Sequence, residues 1–155
     1  MPGLQSSGAT PHKEKWFDIG FPSAEALDAI AVTDPTDTTE KEITVSIPSD
    51  ATIKRVTLIA YIVAMNNTAN AQKIDADVKG RPSGGAWSTF FSQDDCIGFG
   101  AVDGATVSLM TVQDVSALIT AAGTYGFKCT ITQSGANSVR YTTEFILIVT
   151  YAITG

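Results

Sequence analysis

This 155-residue chain holds one histidine and two cysteines, the side chains whose free pKa values lie nearest neutrality. His12 stands in MPGLQSSGATPHKEK, a run of Gly, Ser, Pro and charge without hydrophobic period, which is expected as a flexible arm. A catalytic base must be held rigidly beside its nucleophile, so an arm histidine is a poor partner for Cys96, Cys129 or any serine. The two cysteines are well separated in strand-like contexts, and with one terminal histidine they make no zinc-ligand set. Nothing points to secretion, so two buried thiols are expected rather than a disulfide.

Carboxylates come in three groups: Asp75 with Asp77, Asp94 with Asp95, and Asp34 with Asp37 and Glu40. A glycosidase needs two carboxylates across a cleft, and Ca²⁺ needs several converging oxygens. Asp75 and Asp77 interleave with Lys73 and Lys79, the pattern of a solvated sheet face. Asp94-Asp95 is most simply a polar turn. Gly80–Gly85 lacks the Lys-Ser/Thr and following helix of a phosphate loop. No catalytic, cofactor-binding or metal-ligating residue is therefore assigned, and the chain is not expected to be an enzyme. Trp87, Phe90 and Phe91 follow a Gly-rich loop, as sugar-stacking rings do, although Trp87 and Phe91 share one strand face, as core residues do. Trp87, Asp94 and Asp95 are accordingly the residues of an alternative, carbohydrate- or receptor-binding reading.

The elements that would position these groups are strands. Hydrophobic residues make up 44% of the chain and charged residues 17%, against roughly 25% charged in ordinary soluble domains. Mean hydropathy is +0.13. No apolar run approaches the ~18 residues of a membrane-spanning helix, so a core or a subunit interface is expected to take the excess. The net charge of −6 lies wholly in the first 50 residues, with three lysines against nine carboxylates; the remainder balances at seven against seven. Without a basic stripe to release counterions from phosphates, nucleic acid is not expected as a partner. The chain opens without the basic and apolar regions of a secretion signal, so folding in a cytoplasm is expected.

Residues 1–22 are expected as an N-terminal arm and residues 23–155 as one β-sandwich domain. The compact patch Trp16-Phe17-Asp18-Ile19-Gly20-Phe21-Pro22 is either a first strand or an anchor for a neighbour. Asp34–Glu40 reads as an acidic turn-rich stretch. Arg55–Asn66 is apolar in both registers, with Val56, Leu58, Ala60, Ile62 and Ala64 on one face and Ile59, Tyr61, Val63 and Met65 on the other. A strand of that kind is covered on both sides. The C-terminal half of Ser138–Ile153 repeats the feature, because Ile146 and Ile148 break the polarity of its second face. One short helix is predicted after Asp114, where Val115, Leu118, Ile119 and Ala122 follow helical spacing and Gly123 stands at a C-terminal cap position. With about eight short strands and that helix, the fold class is all-β: an antiparallel two-sheet sandwich, jelly-roll-like.

Ala122-Gly123-Thr124-Tyr125-Gly126-Phe127, running directly into an alternating strand, resembles the start of strands in many extracellular and viral β-sandwich modules, carbohydrate-binding modules among them. Together with Asp77-Val78-Lys79-Gly80-Arg81-Pro82-Ser83-Gly84-Gly85 and the long last strand, residues 42–153 are similar in organisation to small virion proteins of tailed phages. Capsid decoration (cement) and tail-associated proteins are the examples. The resemblance implies a structural protein of the virion, trimeric or otherwise symmetric, bound to other virion proteins on a capsid lattice or tail. It carries over no functional residue. From the residues themselves, Trp16, Phe17, Ile19 and Phe21 in the arm, and Tyr61, Val63, Ile146 and Ile148 on the strands, are the candidate interface positions.

Overall fold

Alternation of apolar and polar residues carries most of the chain into strands, as the period-2 patterns require. The computed structural model describes residues 11–20, 28–30, 36–134 and 139–153. Nine strands occur among them: β1 (His12–Gly20), β2 (Asp28–Ile30), β3 (Thr36–Val45), β4 (Ala51–Asn66), β5 (Gln72–Pro82), β6 (Ser88–Phe99), β7 (Thr106–Asp114), β8 (Gly123–Ser134) and β9 (Val139–Ile153).

The strands pair antiparallel in nested fashion: β1 with β9, β3 with β8, β4 with β7 and β5 with β6. Two further pairings, β9 with β4 and β8 with β5, join these ribbons into sheets ordered β1-β9-β4-β7 and β3-β8-β5-β6. The short β2 continues along the β9 edge past β1, opposite Val139–Tyr141. Setting β2 aside, the long strands form a jelly roll, the two-Greek-key version of a sandwich.

Inward positions of both sheets meet in one core. Val56, Leu58, Ala60, Ile62 and Ala64 of β4 expose no surface, nor do Phe145, Leu147 and Val149 of β9. From the other sheet, Phe127 reaches Phe145 with ring centroids 6.4 Å apart and tilted by 51°. Each of the larger of these side chains, fully buried, stabilises the fold by about 1.5–3 kcal/mol relative to an exposed one.

Three expectations need correction. The helix after Asp114 does not form; residues 115–122 are turns and irregular chain. The Val56 N–H bonds to Ser116 Oγ at 2.9 Å, and the Val115 N–H to the Val56 carbonyl, so the start of this segment is tied to β4 rather than to a helix. Only one turn remains, with the Leu118 and Ile119 N–H groups on the Val115 carbonyl. Val115 and Ile119 still plug the core without a helix. The acidic stretch ending at Glu40 is strand from Thr36 onward, because β8 supplies a register partner for each residue of β3. Gln93-Asp94-Asp95 does not separate two strands; β6 runs through it, absorbing register shifts against β5, with Asp95 at φ 51°. That is β-bulge behaviour.

Candidate functional site

The two sheets turn opposite kinds of surface outward. On the five-stranded sheet, the strand registers build successive rows across the outer face. One row holds Trp16, Ile148 and Thr57; the next holds Ile146, Ile59 and Val112; a third holds Glu144, Tyr61 and Met110. Trp16 and Met110 are each 62% exposed, Val112 55% and Tyr61 38%. Ile59, Val63, Met65, Ile146 and Ile148 between them are half-buried by their neighbours. The Tyr61 hydroxyl donates to Ser108 Oγ at 3.1 Å, which lays the ring along the face rather than out of it. The result is a contiguous apolar surface without a covering element among the described residues, the kind that marks an interaction site.

Tyr61, Val63, Ile146 and Ile148 therefore lie together on one face, joined by Trp16. Phe17 lies apart from them. It pairs with Leu147 and packs half-buried against the core, with the Lys15 ammonium 5.2 Å from its ring centre. Lys15 is held there by the Ser46 carbonyl and hydroxyl at 2.8 and 2.9 Å. Ile19 is placed by its backbone opposite Phe145 in β1, but its side chain lies outside the described residues, as does all of Phe21. Sequence reasoning missed Met110 and Val112. Their signal is indirect: β7 alternates weakly on its own, and its outward positions become conspicuous only opposite Tyr61 and Ile59.

The four-stranded sheet turns a polar face outward. Half-buried Trp87 carries two cations, with Arg81 Cζ 4.3 Å and Lys128 Nζ 4.2 Å from its ring centre. Glu40 pairs with Arg81 at 2.8 Å, and Ser83 donates to Glu42 at 3.2 Å. A Cβ at Gly126 would stand 3.4 Å from both Arg81 and Trp87, so the stack lies in close contact over this position of β8. Trp87 is thus neither a core residue nor a bare stacking platform. Asp94 and Asp95 part company: Asp95 bonds Lys73 at 2.6 Å and offers its N–H to Asp75, while Asp94 borders a shallow hollow with Asp75, Asp77, Ser92, Thr130 and Thr132. Trp87 and the Asp94-Asp95 pair lie over different parts of β5: Trp87 stacks on Arg81, and the aspartates lie beside Lys73 and Asp75.

Nucleophile chemistry finds no support in the thiols. Cys129 is fully buried, and desolvation pushes its thiol up to about 12. Cys96 is half-buried and also shifted upward, chiefly by desolvation, with its thiol 3.2 Å from the Ile74 carbonyl. Both are unpaired. His12 stands exposed at the start of β1, opposite Ala152. No group of three or more His, Cys, Asp or Glu that could hold a metal ion occurs among the described residues.

No protein-family model matches the sequence, and no curated protein does. Solved structures do match the fold. A structure of infectious bursal disease virus, Gt strain, superposes with a TM-score of 0.53 at 9% identity over 92% of this chain and 37% of that one. The VP2 subviral particle of the same virus gives 0.52 at 9% identity, over 92% of this chain and 38% of that one. Dimeric latent PorU from Porphyromonas gingivalis gives 0.50 at 10% identity, over 97% of this chain and 14% of that one. The chain spans less than two-fifths of the length of each. Its fold is that of domains in viral particle proteins, and it also occurs outside them.

Proposed function

We propose that this chain is a non-enzymatic structural protein of a virus particle, a capsid decoration or tail-associated protein that self-associates and binds neighbouring virion subunits. The observation that carries the proposal is the apolar outer face of the five-stranded sheet, built around Tyr61, Ile146 and Ile148 and flanked by Trp16, Met110 and Val112. Surface of that extent costs solubility unless another subunit covers it. The jelly-roll likeness to an infectious bursal disease virus protein supports the virion setting at the level of fold. The tailed-phage setting and a preference for three-fold assembly come from the sequence resemblance. No helix among the described residues is long and apolar enough to cross a membrane, and the charge balance offers no stripe for nucleic acid.

The test is the native mass of the full chain beside a Tyr61→Lys, Ile146→Lys double variant, followed by protein stoichiometry in purified virus particles. Association lost in the variant at unchanged melting temperature supports the proposal. A wild-type chain that stays monomeric at every concentration, and that purified particles lack, overturns it. Glycan-array binding by that monomer, abolished by Trp87→Ala, would favour the carbohydrate- or receptor-binding alternative instead.

A further inference from the structure

We infer that the free edge of β7 pairs with β7 of a second copy of this chain, antiparallel across a two-fold axis, so that two five-stranded sheets continue as one. The inference rests on the self-associating role proposed above and names the edge that makes one of its contacts.

Hydrogen-bond parity identifies what the edge offers. The Val115 N–H donates to the Val56 carbonyl at 2.9 Å, and the Asn66 N–H to the Ala105 carbonyl at 2.8 Å. Both pairs continue the unbroken register of β4 against β7. Hydrogen-bonded pairs alternate in an antiparallel ladder, so the odd-numbered residues of β7 bond to β4. The even-numbered ones, Thr106, Ser108, Met110, Val112 and Asp114, turn N–H and C=O away from it. β7 ends its sheet. The nearest strand on that side is β6 of the other sheet, and no backbone bond joins the two among the described residues.

Edges that must stay single are usually blunted by charge, proline or bulges. Three of the four sheet edges here are. β1 carries Lys13, Glu14 and Lys15, and β3 carries Glu40, Lys41 and Glu42. β6 carries Asp94 and Asp95, two register breaks and a residue at positive φ. β7 has none of these devices. It is nine residues, TVSLMTVQD, without Pro, Gly, Lys or Arg, and its single charge is its last residue. Such a strand is a template for another, and its own copy is the partner that matches it end to end.

The register follows from the strand's centre. Pairing about Met110 engages all nine residues, with Met110 opposite Met110 and Ser108 opposite Val112 of the second copy. It keeps Asp114 at the rim, against Thr106. Because Met110 and Val112 face outward, this pairing also fuses the two apolar faces into one surface.

The test compares native masses of the full chain, of Met110→Pro, and of the Tyr61→Lys, Ile146→Lys variant. Proline at 110 removes only an outward N–H, so the β4 ladder survives. The expected result is that Met110→Pro halves the mass at unchanged circular dichroism. Met110→Cys chains should crosslink to dimers on mild oxidation, while Ser108→Cys chains, with no like residue opposite, should not. Association lost in the Tyr61→Lys, Ile146→Lys variant but untouched by Met110→Pro would overturn the edge pairing and leave the structural role standing. A monomeric wild type would overturn both. Should Met110→Pro fail to fold, the crosslinks decide: dimers from Ser108→Cys, or none from Met110→Cys, overturn the inference.

Discussion

The guanidinium of Arg81 lies over the ring of Trp87, 4.3 Å from its centre, on a surface where the same ring also holds the Lys128 ammonium. The stack fastens the loop after β5 to β8. Trp87→Ala should therefore lower stability by about 1–2 kcal/mol, combining lost cation–π attraction with lost packing. Urea denaturation measures it. No change within about 0.5 kcal/mol would mean that the ring is free for a ligand rather than committed to the fold.

Deleting residues 1–22 removes β1, which pairs with β9 from Glu144 to Ala152 and places Phe17 at the margin of the core. The truncated chain is expected to lose cooperative stability and aggregate, because β9 becomes a bare apolar edge. Thermal melting and light scattering read both effects. A truncated chain that melts like the full one would make residues 12–20 a detachable arm.

Gln72 and Gln133 are 1% and 3% exposed, and all four of their carboxamide polar atoms lack hydrogen-bond partners among the described residues. The two residues lie on adjacent strands, both flanking Ile74 on the core side. Burying an unpaired amide costs about 1–3 kcal/mol. A Gln72→Leu, Gln133→Leu double variant should therefore be more stable than the parent by about 1–3 kcal/mol in chemical denaturation. A loss of stability instead would show that the amides hold bound water.

Cys129 sets a pH limit. Its folded-state value of about 12 lies above the ordinary thiol value of 9.0, so the folded chain keeps a proton that the unfolded chain releases. The associated stability is intact below about pH 9 and declines from there to about pH 12, by about 1.4 kcal/mol per pH unit. A Cys129→Ala variant should lose this part of the alkaline decline. Thiol reagents at pH 8 should label Cys129 only after unfolding.

Much of the fold is legible in alternation alone. The two-faced apolar runs at Arg55–Asn66 and Ser138–Ile153 identify the central strands β4 and β9, and with them the outward direction of Tyr61, Val63, Ile146 and Ile148. Alternation does not give strand partners. Thr36–Glu40 looks like a turn until β8 is set beside it, and Met110 and Val112 look ordinary until they stand opposite Tyr61 and Ile59. The helical spacing correctly marks Val115, Leu118 and Ile119 as inward, whereas Ala122, its fourth position, is exposed. Its error is one of backbone, since hydrogen bonds to Val56 from a distant strand decide the conformation of that segment. Trp87 fails for a similar reason: the cations that occupy it come from β5 and β8.

The nested pairing of strands also has a kinetic side. His12 has Ala152 as its register partner, and Thr36 has Thr132, so early strands wait for late ones during synthesis. On a ribosome, the greasy β4 segment emerges long before β9 exists to shield it. Folding is therefore expected to be slow, with the β4 segment exposed to aggregation until β9 has emerged to cover it.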